Sequence, residues 1–286
     1  MEAALRTHVS QLADRIGERH VLRPAALEAA EAYIREQWQA LGFQVARQAY
    51  VTRGVECANL EITLAGTGRA AETLLAGAHY DSVPGTPGAD DNASGVAALI
   101  EIARLLRGRS SAKTIRLVAF VNEEPPFFYD GDMGSAVYAQ AARRRGERIQ
   151  VMFSLEMLGY YSDAPGSQAL PPYLRFFYPD RGDFIAFVSN LRSRRALRWA
   201  VAAFRASSDF PLQHLAGPAL IPGLSWSDHL SFWRAGYPAV MVTDTAFYRY
   251  PHYHGPGDIP ERLDFARMAR VVEGLAGMLA RLAGCP

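Results

Sequence analysis

Hydrophobic positions along this chain of 286 residues follow two rhythms. Near the N-terminus Leu5, Val9, Leu12 and Ile16 recur with a period of about 3.6, as do Ala26, Ala29, Ile34, Trp38 and Leu41 after Pro24. These stretches predict two amphipathic helices, the second closed by Gly42. Strand-like runs follow at 44–51 and 59–64, then a Gly66-Thr67-Gly68 turn, then an apolar run over 73–78 that stops at His79. From there the rhythms alternate. Segments 94–106, 134–145 and 192–206 read as helices. Segments 114–122, 149–155, 174–178, 184–189 and 239–243 read as strands, and a helix from about 261 to 282 closes the chain.

Continuous apolar strands alternating with helices predict an α/β fold. The expected form is a three-layer sandwich: a mixed, mostly parallel central sheet with helices on both faces. No repeat, low-complexity tract or long linker divides the chain. Residues 1–286 are therefore expected to form one domain, with residues 1–43 as a helical segment packed on it. The Pro- and Gly-rich stretches 125–132 and 162–172 follow strands and are placed to wall a pocket.

Composition narrows the function classes. A hydrophobic content of 49% and a charged content of 21% are ordinary for a globular protein. The formal net charge of +1 gives no global reason to expect nucleic acid or an anionic membrane as partner. No apolar run reaches the roughly 18 residues of a membrane span. The first residues lack the basic-then-apolar plan of a signal peptide. That predicts a cytoplasmic protein, or a secreted or periplasmic one if a targeting segment precedes the given sequence. Cys57 and Cys285 stand too far apart in sequence for a metal motif or a disulfide framework. Nothing in the chain specifies an oligomeric state.

The chemistry gathers at strand ends. The strand Thr114-Ile115-Arg116-Leu117-Val118-Ala119-Phe120-Val121 runs into Asn122-Glu123-Glu124. Two adjacent carboxylates at the C-terminal end of a buried strand repel each other unless a positive charge sits beside them. That edge is also where α/β sheets carry their active sites. Other strands end at His79-Tyr80-Asp81 and at Ser154-Leu155-Glu156. Asp91 lies twelve residues after His79, just before a helix, and Tyr253-His254 follows the last buried strand. Singly each has a plainer role. His79 could be a hydrogen-bonded structural histidine, Asp90, Asp91 and Asn92 helix caps, Glu123 and Glu124 a solvated loop, and Glu156 a partner for one of the many arginines. Together they offer two imidazoles and several carboxylates, a donor set suited to zinc.

These elements, in this order, resemble those of the di-zinc aminopeptidases, the family that also holds glutamate carboxypeptidase II, glutaminyl cyclase and the transferrin receptor ectodomain. The resemblance runs from about Asn59 to the C-terminus. It implies two zinc ions bridged by Asp91, one completed by His79 and Glu156 and the other by Glu124 and His254. It implies Glu123 as general base, Asp81 behind the His79 ring, and Tyr253 as a hydrogen-bond donor to the substrate carbonyl. Many family members carry Asp where this chain has Glu156. Three carboxylates against two zinc ions leave about one positive charge, which favours hydroxide between the metals.

The implied function is a zinc exopeptidase removing the N-terminal residue of a peptide or aminoacyl substrate. The alternatives are a one-zinc acyl transferase of the glutaminyl cyclase kind, a carboxypeptidase with arginines in its pocket, and a non-catalytic binding module. Ser227-Asp228-His229 lacks the nucleophile elbow of a serine hydrolase, and Asp228 and His229 are expected to cap and pack a helix. Phe127-Phe128-Tyr129 fits a pocket wall and a core segment equally.

Overall fold

The computed structural model describes residues 1–285. Two helices open the chain, α1 (Glu2–Ser10) and α2 (Pro24–Ala40), with a wide-pitched turn at Gln11–Ile16 between them. Leu5, Val9, Leu12, Ile34 and Trp38 on these segments are fully buried. Gly42, at φ +85°, takes the left-handed conformation that ends α2.

Eight strands build one sheet: β1 (Ala46–Thr52), β2 (Val55–Leu64), β3 (Arg69–His79), β4 (Lys113–Phe120), β5 (Arg148–Glu156), β6 (Ile185–Asn190), β7 (Leu212–Gly217) and β8 (Ala239–Thr243). Their order across it is β1-β2-β4-β3-β5-β8-β6-β7. The central β4, β3, β5 and β8 run parallel, β6 and β7 run parallel to each other but against β8, and β1 and β2 are antiparallel additions.

Alternate residues of the central strands serve two cores. Leu74, Ala76, Val151 and Phe153 face α1, α2, α3 (Gly95–Leu106), α5 (Arg194–Arg205) and α7 (Phe265–Ala283). Leu75, Val118, Phe120 and Met152 face α4 (Gly134–Arg144) and α6 (His229–Arg234). The sheet is thus covered on both faces, the expected sandwich, and its central strands are hydrophobic all round because both sides are buried.

Three expectations need correction. Segment 174–178 is a turn rather than a strand, with Phe176 and Phe177 exposed. The missing strand is β7, a partly exposed sheet edge whose Leu212-Gln213-His214-Leu215 carries no clean alternation. The last helix starts at Phe265, where the Asp264 carboxylate caps the Arg267 N–H; residues Pro260–Arg262 form a separate short turn. Both cysteines are free. No helix among the described residues is long and apolar enough to cross a membrane.

Candidate metal centre

The C-terminal ends of the parallel strands bring the sequence-picked residues together. His79 is the last residue of β3 and Glu156 the last of β5. Glu123 and Glu124 follow β4, Asp91 lies in the turn before α3, and Tyr253 and His254 follow β8. Asp91 sits between two groups. Its Oδ1 is 3.3 Å from His79 Nε2, which is 3.5 Å from Glu156 Oε2. Its Oδ2 is 3.2 Å from His254 Nε2, which is 3.5 Å from Glu124 Oε2. Glu123 Oε2 stands further off, 4.0 Å from His79 Nε2.

Local hydrogen bonds explain why the chain holds this shape. Asn92 donates to Leu155 O at 2.8 Å and accepts from the N–H groups of Gly95 and Met157, tying the Asp91 turn to the end of β5. A Cβ on Gly95 would lie 2.7 Å from Leu155 O, so only glycine permits the approach. The Asp258 carboxylate accepts from the N–H groups of Asp90 and Asp91. On the other side, the Asp81 carboxylate accepts from the N–H groups of Glu123 and Glu124, both at 3.1 Å. Asp81 reaches His79 chiefly through its main chain: Nδ1 donates to Asp81 O at 3.2 Å, while Oδ1 lies 3.6 Å away. A carbonyl can only accept, so Nδ1 carries a proton and Nε2 is the ring nitrogen directed at Asp91 and Glu156.

Electrostatics tell the same story. Burial alone would depress the His79 pKa, yet the surrounding Glu156, Asp81 and Asp91 push it well above its ordinary value. Burial raises the Asp91 carboxyl, and His254 and His79 outweigh it, leaving the group below the usual carboxylate range. Burial, together with neighbouring carboxylates, pushes Glu123 and Glu124 well up. The cluster demands positive charge. His79 Nε2, Asp91 Oδ1 and Glu124 Oε1 are buried and have no hydrogen-bond partner among the described residues. Such orphaned polar atoms are costly unless something ligates them. These donors therefore fit bound metal, and imidazole with carboxylate suits zinc.

A cavity of about 320 Å³ opens onto Asp91, Glu123, Glu124, Glu156, Tyr253 and His254. Phe128 and Tyr129 line it, whereas Phe127 is buried in the core, so the aromatic triplet divides between its two expected roles. Tyr253 stacks on His254 with ring centroids 3.8 Å apart. A second, mostly apolar cavity shares Glu156, Trp226 and Tyr253 with the first and is walled by Leu174, Ile221, Met241 and Phe247. The stretches 125–132 and 162–172 do wall these cavities, through Pro125 and Phe128 in one and Gln168, Leu170 and Pro171 in the other.

Sequence reading missed two contributors. Ser227, given no role by the sequence, donates to Glu156 Oε2 at 2.6 Å. Its neighbour Asp228 is fully buried and makes no capping bond, against expectation, while His229 does pack edge-on against Trp233. Arg19 is fully buried and donates to the carbonyls of Tyr80, Gly17 and Gly88, joining the N-terminal segment to the loop before Asp91.

The sequence matches the model of peptidase family M28 over residues 59–279. It is 43% identical over 263 residues to the uncharacterized protein YfbL of Escherichia coli K12, covering 88% of this chain and 80% of that protein. A probable leucine aminopeptidase of Arthroderma otae is 26% identical over 223 residues, 74% of this chain. The chain spans 54% of that relative's length. Among solved structures, BSAP, a zinc aminopeptidase from Bacillus subtilis, superposes with a TM-score of 0.78 at 16% identity, covering 99% of this chain and 95% of that one. A glutaminyl cyclase from Fimbriiglobus ruber superposes at 0.73 with 21% identity, covering 97% and 94%. At these identities the likeness is one of fold, and the fold hosts both chemistries.

Proposed function

The chain belongs to peptidase family M28, and from that premise we propose that it is a zinc-dependent exopeptidase releasing the N-terminal residue of peptides. The observation that carries the proposal is the division of labour at Asp91. One of its oxygens faces His79 and the other faces His254. His79 with Glu156 and His254 with Glu124 complete two separate donor groups, each within 4.8 Å. His79, Asp91 and Glu156 would hold one zinc ion, and Asp91, Glu124 and His254 a second. Bound zinc supplies Lewis acidity, polarising the scissile carbonyl and lowering the pKa of an attacking water.

The chain's own residues do the rest. Glu123 belongs to neither of the groups that share Asp91, lines the cavity, and has its carboxyl pushed up by burial. It takes the proton of the attacking water and passes it to the leaving amine. The Tyr253 hydroxyl donates to the developing oxyanion. Asp81 fixes the two glutamates through their N–H groups, and its carbonyl fixes the His79 tautomer.

Cavity charge favours an amino terminus over a carboxyl terminus. The lining offers Glu123, Glu124 and Glu156 and, among the described residues, no Arg or Lys in either cavity. Glu124 and Glu156 would be engaged by zinc, and a substrate carboxylate finds no Arg or Lys partner in either cavity, which disfavours the carboxypeptidase reading. Elemental analysis of zinc-loaded protein, paired with free and N-blocked aminoacyl anilides, tests the proposal. Two zinc ions per chain and turnover of free-amine substrates alone are expected. One zinc ion with ring closure of N-terminal glutamine would replace this reading with the cyclase one.

A further inference from the structure

The net charge of +1 is an average over two very different ends of the sheet. The strands β3, β4, β5 and β8 begin at the edge opposite the metal centre. β3 spans eleven residues, so the two edges stand roughly 30 Å apart. Segments 69–73, 107–113, 143–149, 190–198 and 235–239 lie at the starting edge, and they hold twelve Arg and Lys residues against two acids, Glu72 and Glu147. The α5 end belongs there because the Ala239 N–H donates to Ser193 Oγ and Lys113 Nζ sits 4.4 Å from the Trp199 ring.

Both acids are already engaged, Glu72 near Arg69, Lys113 and Arg148, and Glu147 near Arg116 and Arg145. Arg143, Arg144, Arg192, Arg194, Arg195 and Arg198 are exposed, and among the described residues none has a carboxylate within 4.0 Å. Interspersed with them, Leu191 is 50% exposed and Trp199 39%. Unneutralised guanidinium groups around exposed apolar side chains fit a surface with anionic headgroups over an apolar layer.

We propose that this edge is an interaction surface for an anionic phospholipid membrane, on which the protein rests with its metal centre facing away from the lipid. A nucleic acid would answer the charge but gives no role to Leu191. The attraction is local, so a chain of nearly zero net charge can still bind.

Vesicle sedimentation tests the proposal, using phosphatidylcholine with and without 30% phosphatidylglycerol. Binding to the anionic vesicles alone is expected, falling steeply with added salt. Each neutralised arginine should weaken partitioning about fivefold, so Arg194→Gln/Arg195→Gln/Arg198→Gln together should cost about 100-fold. Leu191→Ser should lower it severalfold at fixed salt, with peptidase activity unchanged in both variants as evidence of folding. Equal binding to neutral vesicles, or a triple variant that binds as before, overturns the proposal. So does a Leu191→Ser protein with normal partitioning whose vesicle binding is abolished by duplex DNA, which would make the partner a nucleic acid.

Discussion

Glu123→Gln and Glu124→Gln each exchange one carboxylate for an amide at neighbouring buried positions, and the proposed site gives them opposite consequences. The ligand atoms of Asp91, Glu124 and His254 lie within 4.8 Å of one another. Two like charges that far apart repel by about 3 kcal/mol at an effective dielectric constant near 20. The Glu124 carboxyl is pushed up by burial and by Asp91 and Glu123, so its ionised form is disfavoured in metal-free protein. In metal-free protein at pH 8, Glu124→Gln should therefore stabilise the fold by about 1–3 kcal/mol. For a chain of this length that is roughly 2–5 °C in melting temperature. With zinc the sign reverses, since the amide is a poor anionic donor and zinc affinity should fall. Glu123→Gln should keep its zinc and lose about 10²–10⁴ in kcat. Calorimetry with and without chelator, zinc titration and single-substrate kinetics read all of these quantities. A Glu124→Gln protein with unaltered zinc affinity refutes the ligand role, and a Glu123→Gln protein with near-normal kcat refutes the base.

Ser227→Ala removes the hydrogen bond to Glu156 Oε2 and should weaken zinc binding about 10–100-fold in chelator competition; unchanged affinity would leave that bond a packing role only. Arg19→Met strands the carbonyls of Tyr80, Gly17 and Gly88 and should cost about 3–5 kcal/mol in urea unfolding, a loss below about 1 kcal/mol being incompatible with the clamp. Burial raises the carboxyls of Asp258 to about 6 and Asp228 to about 7. Groups raised in the folded state contribute stability that is complete below their unfolded pKa and is lost as pH climbs through the folded one. Metal-free protein should accordingly lose about 2–4 kcal/mol between pH 5 and pH 8, and flat or rising stability over that window would contradict the assignment.

The central strands were legible because burial on both faces leaves unbroken apolar runs such as Leu117-Val118-Ala119-Phe120-Val121. The candidate ligands were legible because each ends or follows such a run. β7 was not, since an edge strand with one half-exposed side needs no strict alternation. Segment 174–178 carried the apolar content of a strand but lies on the surface. Ser227 could not be paired with Glu156 across 71 positions of sequence, and Arg19 acts on main-chain carbonyls, which leave no signature in side-chain patterns. The basic edge was hidden by summation: charges scattered over four segments become neighbours only once the strands align.

The Arg19 clamp also bears on where this protein can be cut. The family match starts at residue 59, and an engineer trimming to that limit would keep every candidate zinc ligand. The trimmed chain would still lose the guanidinium group that anchors Gly88, three residues before Asp91. It would also uncover the face of α3 on which α1 and α2 pack. The first forty residues thus support the loop that carries Asp91, and a cut placed at the family limit would remove that support.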